Sequence, residues 1–286
     1  MSHADAKQHR SCLLQGWIFY ALVMCLAAAV AVSAPVVGPS SLLMSMCTPA
    51  LATGAMLVLF RGPESGRLLV SQLGLWPLGL RGWPIAVMGP ACIFAAGLAV
   101  LLGLGWTEVA GPQISGPMLD VAGNLLLGFA VATLLSLAEE IGWRGYLLPR
   151  MFGYGVVPAM LLVGLLHGTW HLPLLLTTDY YHSGENPWIV TPMFLVTLTL
   201  AGVFYGILRI WTASVWPVAV AHAAVNVSWE IASELSVSKS SLVLEYIGGE
   251  SGVVMIAGLI IADLVLLRVM RADISAAQRQ AQRHIA

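Results

Sequence analysis

The chain has 286 residues, of which 58% are apolar and only 9% charged, whereas a soluble domain carries about a quarter charged residues; it cannot cover a water-facing surface. The formal net charge of −1 says nothing about partners, but the lack of any basic tract or RNA-binding signature argues against nucleic acid as one. With a mean hydropathy of +0.85, the composition predicts an all-α fold, a polytopic transmembrane helical bundle whose partner is the lipid bilayer, with spans of about 20 residues.

In chain order, apolar runs punctuated by charges, Pro and Gly predict about eight helices, roughly at 14–34, 42–60, 84–104, 120–150, 156–177, 190–208, 214–230 and 242–267. The first run follows Lys7 and Arg10 and so imitates a signal peptide. It is long for one, and Pro35 stands just after the candidate cut site, so it reads as an uncleaved span. Arg61, Arg67 and Arg81 lie between the second and third runs; Arg144 and Arg150 end the fourth; Arg209 follows the sixth; Arg268, Arg271, Arg279 and Arg283 follow the eighth. With eight spans these residues share one side, opposite Glu108, Asp179, Glu185, Glu234, Glu250 and the basic Lys239. The positive-inside rule then places both termini in the cytoplasm. The basic loop 61–82 reads as a contact for anionic lipid head groups, and the polar stretch after Arg271 as a short amphipathic or disordered tail. Three parts follow: N-terminal helices and loop over 1–119, a core over 120–230, and a last helix with its tail over 231–286. Cys12, Cys25, Cys47 and Cys92 show no CxxC spacing and read as apolar fillers.

Polar groups that an apolar background does not explain occur in three places. The first is Glu139-Glu140 with Arg144. Charged carboxylates at membrane depth are costly, and adjacent helical residues point about 100° apart, so the two cannot share a role. Glu140 and Arg144, at i and i+4, can neutralise each other, which leaves Glu139 without a local partner and suited to general acid or base work. Taken alone, the stretch reads equally as a cytoplasmic helix end with a surface ion pair.

The second place is His167-Gly-Thr-Trp-His171, two histidines on one helix face, which raises the odds of proton transfer or metal binding. Gly168 stands where the zinc-protease HExxH signature needs Glu, and that signature fails. The third is His222 with Asn226, again i and i+4. Both side chains donate hydrogen bonds, either to a developing oxyanion or merely between helices. Gly153-Tyr154-Gly155 reads as the turn of a hairpin, with Glu139 and His171 each 16 residues from Gly155. If the fourth helix runs unbroken through Pro149, both lie at one height, roughly 20–24 Å from the turn.

Glu139-Glu140-x-x-x-Arg144 (extended, EEIGWRGYLLPR), Trp170-His171-Leu172-Pro173 and His222-x-x-x-Asn226 resemble, in order and rough spacing, the motifs of the CPBP family, the CAAX prenyl proteases and bacteriocin-processing (Abi) proteins. The resemblance covers about 120–226 and implies an all-helical intramembrane endopeptidase. Carried over residue by residue, Glu139 and His171 would activate a water, His222 and Asn226 would stabilise the oxyanion, and Glu140 and Arg144 would fix the geometry. The implied substrate is a peptide or lipidated protein at the membrane, prenylated or of the leader type. The implied location is the plasma membrane if the source is prokaryotic.

One position departs from the pattern: the family usually has an aromatic residue four before the motif histidine, and here it is His167. It would pack, relay protons, or join His171 and His222 around a metal. The metal-free reading is preferred, so no cofactor is expected, with a zinc-dependent peptidase as the alternative. A non-enzymatic membrane scaffold or immunity protein, and a transporter with a proton relay, are the competing classes.

Overall fold

The computed structural model describes residues 3–60, 70–110, 118–179, 186–240 and 242–283. Arg61, Arg67 and Glu185 lie outside the described residues. The described residues are almost wholly helical: α1 (His3–Val37), α2 (Ser40–Leu59), α3 (Trp83–Gly103), α4 (Met118–Glu140), α5 (Val156–Thr177), α6 (Pro187–Thr212), α7 (Trp216–Glu234), α8 (Val253–Val269) and α9 (Arg271–Arg283). Their starts follow local chemistry. Pro84, Pro187 and Pro217 occupy first-turn positions of α3, α6 and α7, where a missing N–H costs nothing. Asn186 caps α6 by accepting a bond from the Trp188 N–H at 3.0 Å. Gly155, with φ 99°, makes the turn into α5.

Eight long helices therefore stand where apolar runs predicted them, but the count of about eight spans is reduced. Among the described residues, six helices are individually long and apolar enough to cross a membrane, and α8 with α9 makes a seventh if that pair, bent by 73°, counts as one. The helix that falls short is α7. His222, Asn226 and Glu230 lower its apolarity, yet Pro217–Ala224 are buried against neighbouring helices rather than facing lipid. The protein is an integral membrane protein with several spans.

A small antiparallel sheet ties two loops together. Thr107–Val109 (β1) pairs with Ser236–Ser238 (β2), Thr107 opposite Ser238. The ends of α3 and α7 therefore lie at the same end of the bundle, as helices alternating in direction require. Lys239, the basic residue expected among acids at this end, pairs there with Glu108 at 3.2 Å.

Two elements differ from expectation. The last helix begins at Val253 rather than near 242, because Gly248, Gly249 and Gly252 interrupt it after a short π turn, Val243–Ile247. The helical path through Pro149 is continuous but not all α. After α4 it widens into a π-helix, Ile141–Leu147, returns to one α turn at Leu148–Met151, and ends in a 3-10 turn, Phe152–Tyr154. Such wide turns are frequent at functional sites. Gly142 sits where a Cβ would lie 2.5 Å from the Pro49 side chain, so the wide turn is pressed against α2.

The core gathers on the second half of the chain. In α5 and α6, Gly164 and Gly202 face each other so closely that a Cβ on Gly202 would lie 2.6 Å from the Gly164 Cα. That backbone approach is how membrane helices associate when burial from water supplies no driving force. The contact fixes α5, which carries both histidines of the second motif, against α6.

Candidate active site

The two adjacent carboxylates close α4 just before the π turn and point in different directions. Glu140 is fully buried, and both its oxygens accept from Arg144 Nη1, at 3.0 and 2.9 Å. His222 Nδ1 lies 3.1 Å from Glu140 Oε1, so α7 is tied to the same carboxylate. Arg144 has no exposure either, and its guanidinium lies 4.8 Å over the Tyr205 ring. Tyr205 in turn stacks on His222 with 5.8 Å between ring centroids. A buried ion pair needs such close geometry to offset the loss of hydration. The surface-pair reading of Glu140 and Arg144 is thereby removed.

Glu139, read from the sequence as lacking a local partner, finds one across the hairpin. Its Oε2 lies 3.0 Å from His167 Nε2. The hairpin does bring Glu139 and the α5 histidines to one level: Glu139, His167 and His171 each offer a ligand atom, all within 4.8 Å of one another. The described hydrogen bond, however, goes to His167, four residues nearer the turn than the matched spacing indicated. The seven-residue π segment lies between Glu139 and the turn, so the register of a uniform α-hairpin does not apply. His167 is itself clamped. Trp143 stacks on it at 5.0 Å, His171 at 5.3 Å, and Arg144 Nη1 donates to its Nδ1 at 3.1 Å.

A cavity of about 480 Å³ opens onto this cluster. Glu139 and His171 reach it from α4 and α5, His222 and Asn226 from α7. Glu140, Arg144 and His167 do not line it and stand behind. The three sequence motifs, spread over about 90 residues, thus meet at one wall. His222 does not join the metal-competent trio; its ring is engaged with Glu140 instead.

Other lining residues had no motif to announce them. Tyr205, Phe194 and Phe204 come from α6, Trp229 and Glu230 from the far end of α7, and Glu250 from the loop before α8. Tyr205 carried no usable signal either, since its hydroxyl is one of several in α6, beside those of Thr191, Thr197 and Thr199. Much of the remaining wall is apolar, with Leu42, Met46, Pro90, Ile93, Met255 and Leu259.

Fold and site together define a multi-pass helical membrane protein with a buried carboxylate–histidine cluster opening onto an internal cavity. Residues 121–228 match the family model described as type II CAAX prenyl endopeptidase, Rce1-like. That stretch is thus similar to a family of membrane endopeptidases, which are hydrolases. The matched stretch contains all three motifs, α4 to α7. No curated protein matches the chain.

Proposed function

We propose that the chain is an intramembrane endopeptidase that hydrolyses a peptide bond in a membrane-associated substrate, prenylated or of the leader type. The carrying observation is that Glu139, His171, His222 and Asn226 line one cavity while Glu140 and Arg144 are locked together behind it. Amide hydrolysis needs a base for water and donors for the oxyanion, and both sets face the same space.

In this reading a water beside Glu139 and His171 loses a proton to them as its oxygen attacks the scissile carbonyl. The oxyanion accepts bonds from the Asn226 side-chain amide and from His222. The proton then passes to the leaving amine as the C–N bond breaks, which closes the cycle. His222 already turns Nδ1 to Glu140, which keeps Nε2 for the substrate. It serves as a donor there in its doubly protonated form, and with Arg144 it balances the charges of Glu139 and Glu140. The apolar wall suits the lipid-like portion of a substrate.

The purified protein is to be assayed in detergent on quenched peptides ending in a CAAX sequence, farnesylated and unmodified. Glu139→Ala and His171→Ala are each expected to lower cleavage by about 10²–10⁴-fold, with insertion and thermal midpoint retained. Cleavage surviving in both variants overturns the assignment. Variants that lose thermal stability in proportion to their phenotype would mark the cluster as a device that binds helices together.

A further inference from the structure

We propose that His167 is a positioning residue, which donates its Nε2 proton to Glu139 and is held in that tautomer by Arg144. The inference rests on the reading of Glu139 as the base, and on hydrogen-bond chemistry that stands apart from it. A guanidinium has five N–H donors and no acceptor. Arg144 Nη1 lies 3.1 Å from His167 Nδ1, so Nδ1 must be the nitrogen with the lone pair. One Nη1 hydrogen serves it, and the other is shared by the two Glu140 oxygens at 3.0 and 2.9 Å. A neutral imidazole with Nδ1 as acceptor carries its proton on Nε2, and Nε2 lies 3.0 Å from Glu139 Oε2. Glu139 is therefore the acceptor in that bond, a carboxylate oxygen fixed from behind in a residue that lines the cavity.

The surroundings fit a residue that acts through another. His167 has no solvent exposure and does not line the cavity, whereas Glu139 and His171 do. Its ring plane is held between Trp143, at 5.0 Å and 26°, and His171, at 5.3 Å and 30°. Arg144, His167 and Glu139 thus form a chain of two hydrogen bonds, anchored in the buried ion pair and ending on the proposed base.

The same proton placement answers the metal question for this residue. With Nε2 protonated and Nδ1 occupied by Arg144, His167 has no lone pair to offer an ion. Glu139, His167 and His171 come within 4.8 Å, but the trio then supplies two ligands, one fewer than a catalytic zinc site takes from its protein.

The test uses two substitutions and a spectrum. His167→Phe keeps an aromatic ring for Trp143 and His171 and removes both nitrogens; His167→Gln keeps a donor and an acceptor. On the farnesylated peptide, His167→Phe is expected to lower kcat about ten- to hundredfold, the worth of a hydrogen bond to a charged group, with KM unchanged. His167→Gln is expected to recover most of that loss. In protein labelled with 15N-histidine, the signals absent from the His167→Phe spectrum are expected to show a protonated Nε2 and a bare Nδ1, and added zinc should leave them in place.

A proton on Nδ1, a zinc-dependent shift of the His167 signals, or an undiminished kcat in His167→Phe beside an inactive Glu139→Ala would each overturn the proposal. An active Glu139→Ala removes the peptidase reading instead, and the nitrogen spectrum then judges the hydrogen-bond chain by itself.

Discussion

The cavity wall and the layer behind it are built from the same short motifs, yet they hold their polar groups in opposite ways. On the wall, Glu139, His171, His222 and Asn226 present side chains to open space. Behind it, Glu140, Arg144 and His167 have no exposure, and their described hydrogen-bond partners are one another together with Glu139 and His222. Adjacent residues, Glu139 and Glu140, fall on different sides of this divide because successive helical positions diverge by about 100°. The lesson is one of separability: a wall residue can be removed and leave a folded protein, whereas a residue of the layer leaves a buried charge or dipole without its partner.

The largest test of that difference is Arg144→Ala. It leaves Glu140, at zero exposure, with His222 in place of the lost ion pair, and breaking a buried pair from one side costs about 3–5 kcal/mol. The expected outcome is a protein that fails to accumulate in the membrane, or that unfolds in detergent well below the parent temperature. A variant with an unchanged thermal midpoint would erase the distinction between the two regions. Asn226→Ala acts on the wall side. Loss of one oxyanion donor lowers kcat by about 10²–10³-fold, and the thermal midpoint should stay close to that of the parent. A matching loss of stability would move Asn226 into the structural layer.

Much of this arrangement was legible in the sequence. Helix α5 spans Val156–Thr177, matching its apolar run, and the Gly155 turn falls where the glycines placed it. The level shared by Glu139 and the α5 histidines followed from counting along a hairpin, and the Glu140–Arg144 pair from helical spacing. The choice of His167 as the partner of Glu139 was not legible. It depends on the wide turn at Ile141–Leu147, which is set by how Gly142 and Gly145 seat against α2 and the Leu73 carbonyl. Local spacing carries no record of such contacts. Tyr205 was hidden for a similar reason. Its place over Arg144 and against His222 arises only when α6 and α7 pack together, and one tyrosine in an apolar helix has no periodic signature. The shortfall of α7 as a span has the same origin as the site, since its polar residues are affordable only where neighbouring helices shield them.

A smaller effect is expected at the crossing that carries the histidine helix. In Gly164→Ala the new Cβ would lie 2.5 Å from the Leu198 carbonyl oxygen and 2.9 Å from the Gly202 Cα. Both are backbone atoms, so the helices must move apart, at about 1–3 kcal/mol for overpacking of this kind. The displacement also shifts His167 and His171 relative to Glu139, so kcat should fall together with thermal stability. A fall in stability with full activity would show that the hairpin from α4 to α5, and not the contact with α6, sets the position of the histidines.

The smallest effect is expected at the other ion pair. Lys239 and Glu108 lie 3.2 Å apart, as Glu140 and Arg144 nearly do, but their side chains remain 54% and 71% exposed. Water and salt screen such a pair, and its net worth is about 0–1 kcal/mol. The loops it joins are held in any case by the backbone bonds between β1 and β2, with Thr107 Oγ1 donating to the Val237 carbonyl at 2.9 Å. Lys239→Ala is therefore expected to shift the thermal midpoint in detergent by no more than the spread between preparations, and to leave cleavage unchanged. Measured beside Arg144→Ala, it tests burial at nearly equal distance. If the exposed pair proved as costly to break as the buried one, the stability of the layer behind the cavity would have to be attributed to something other than its isolation from water.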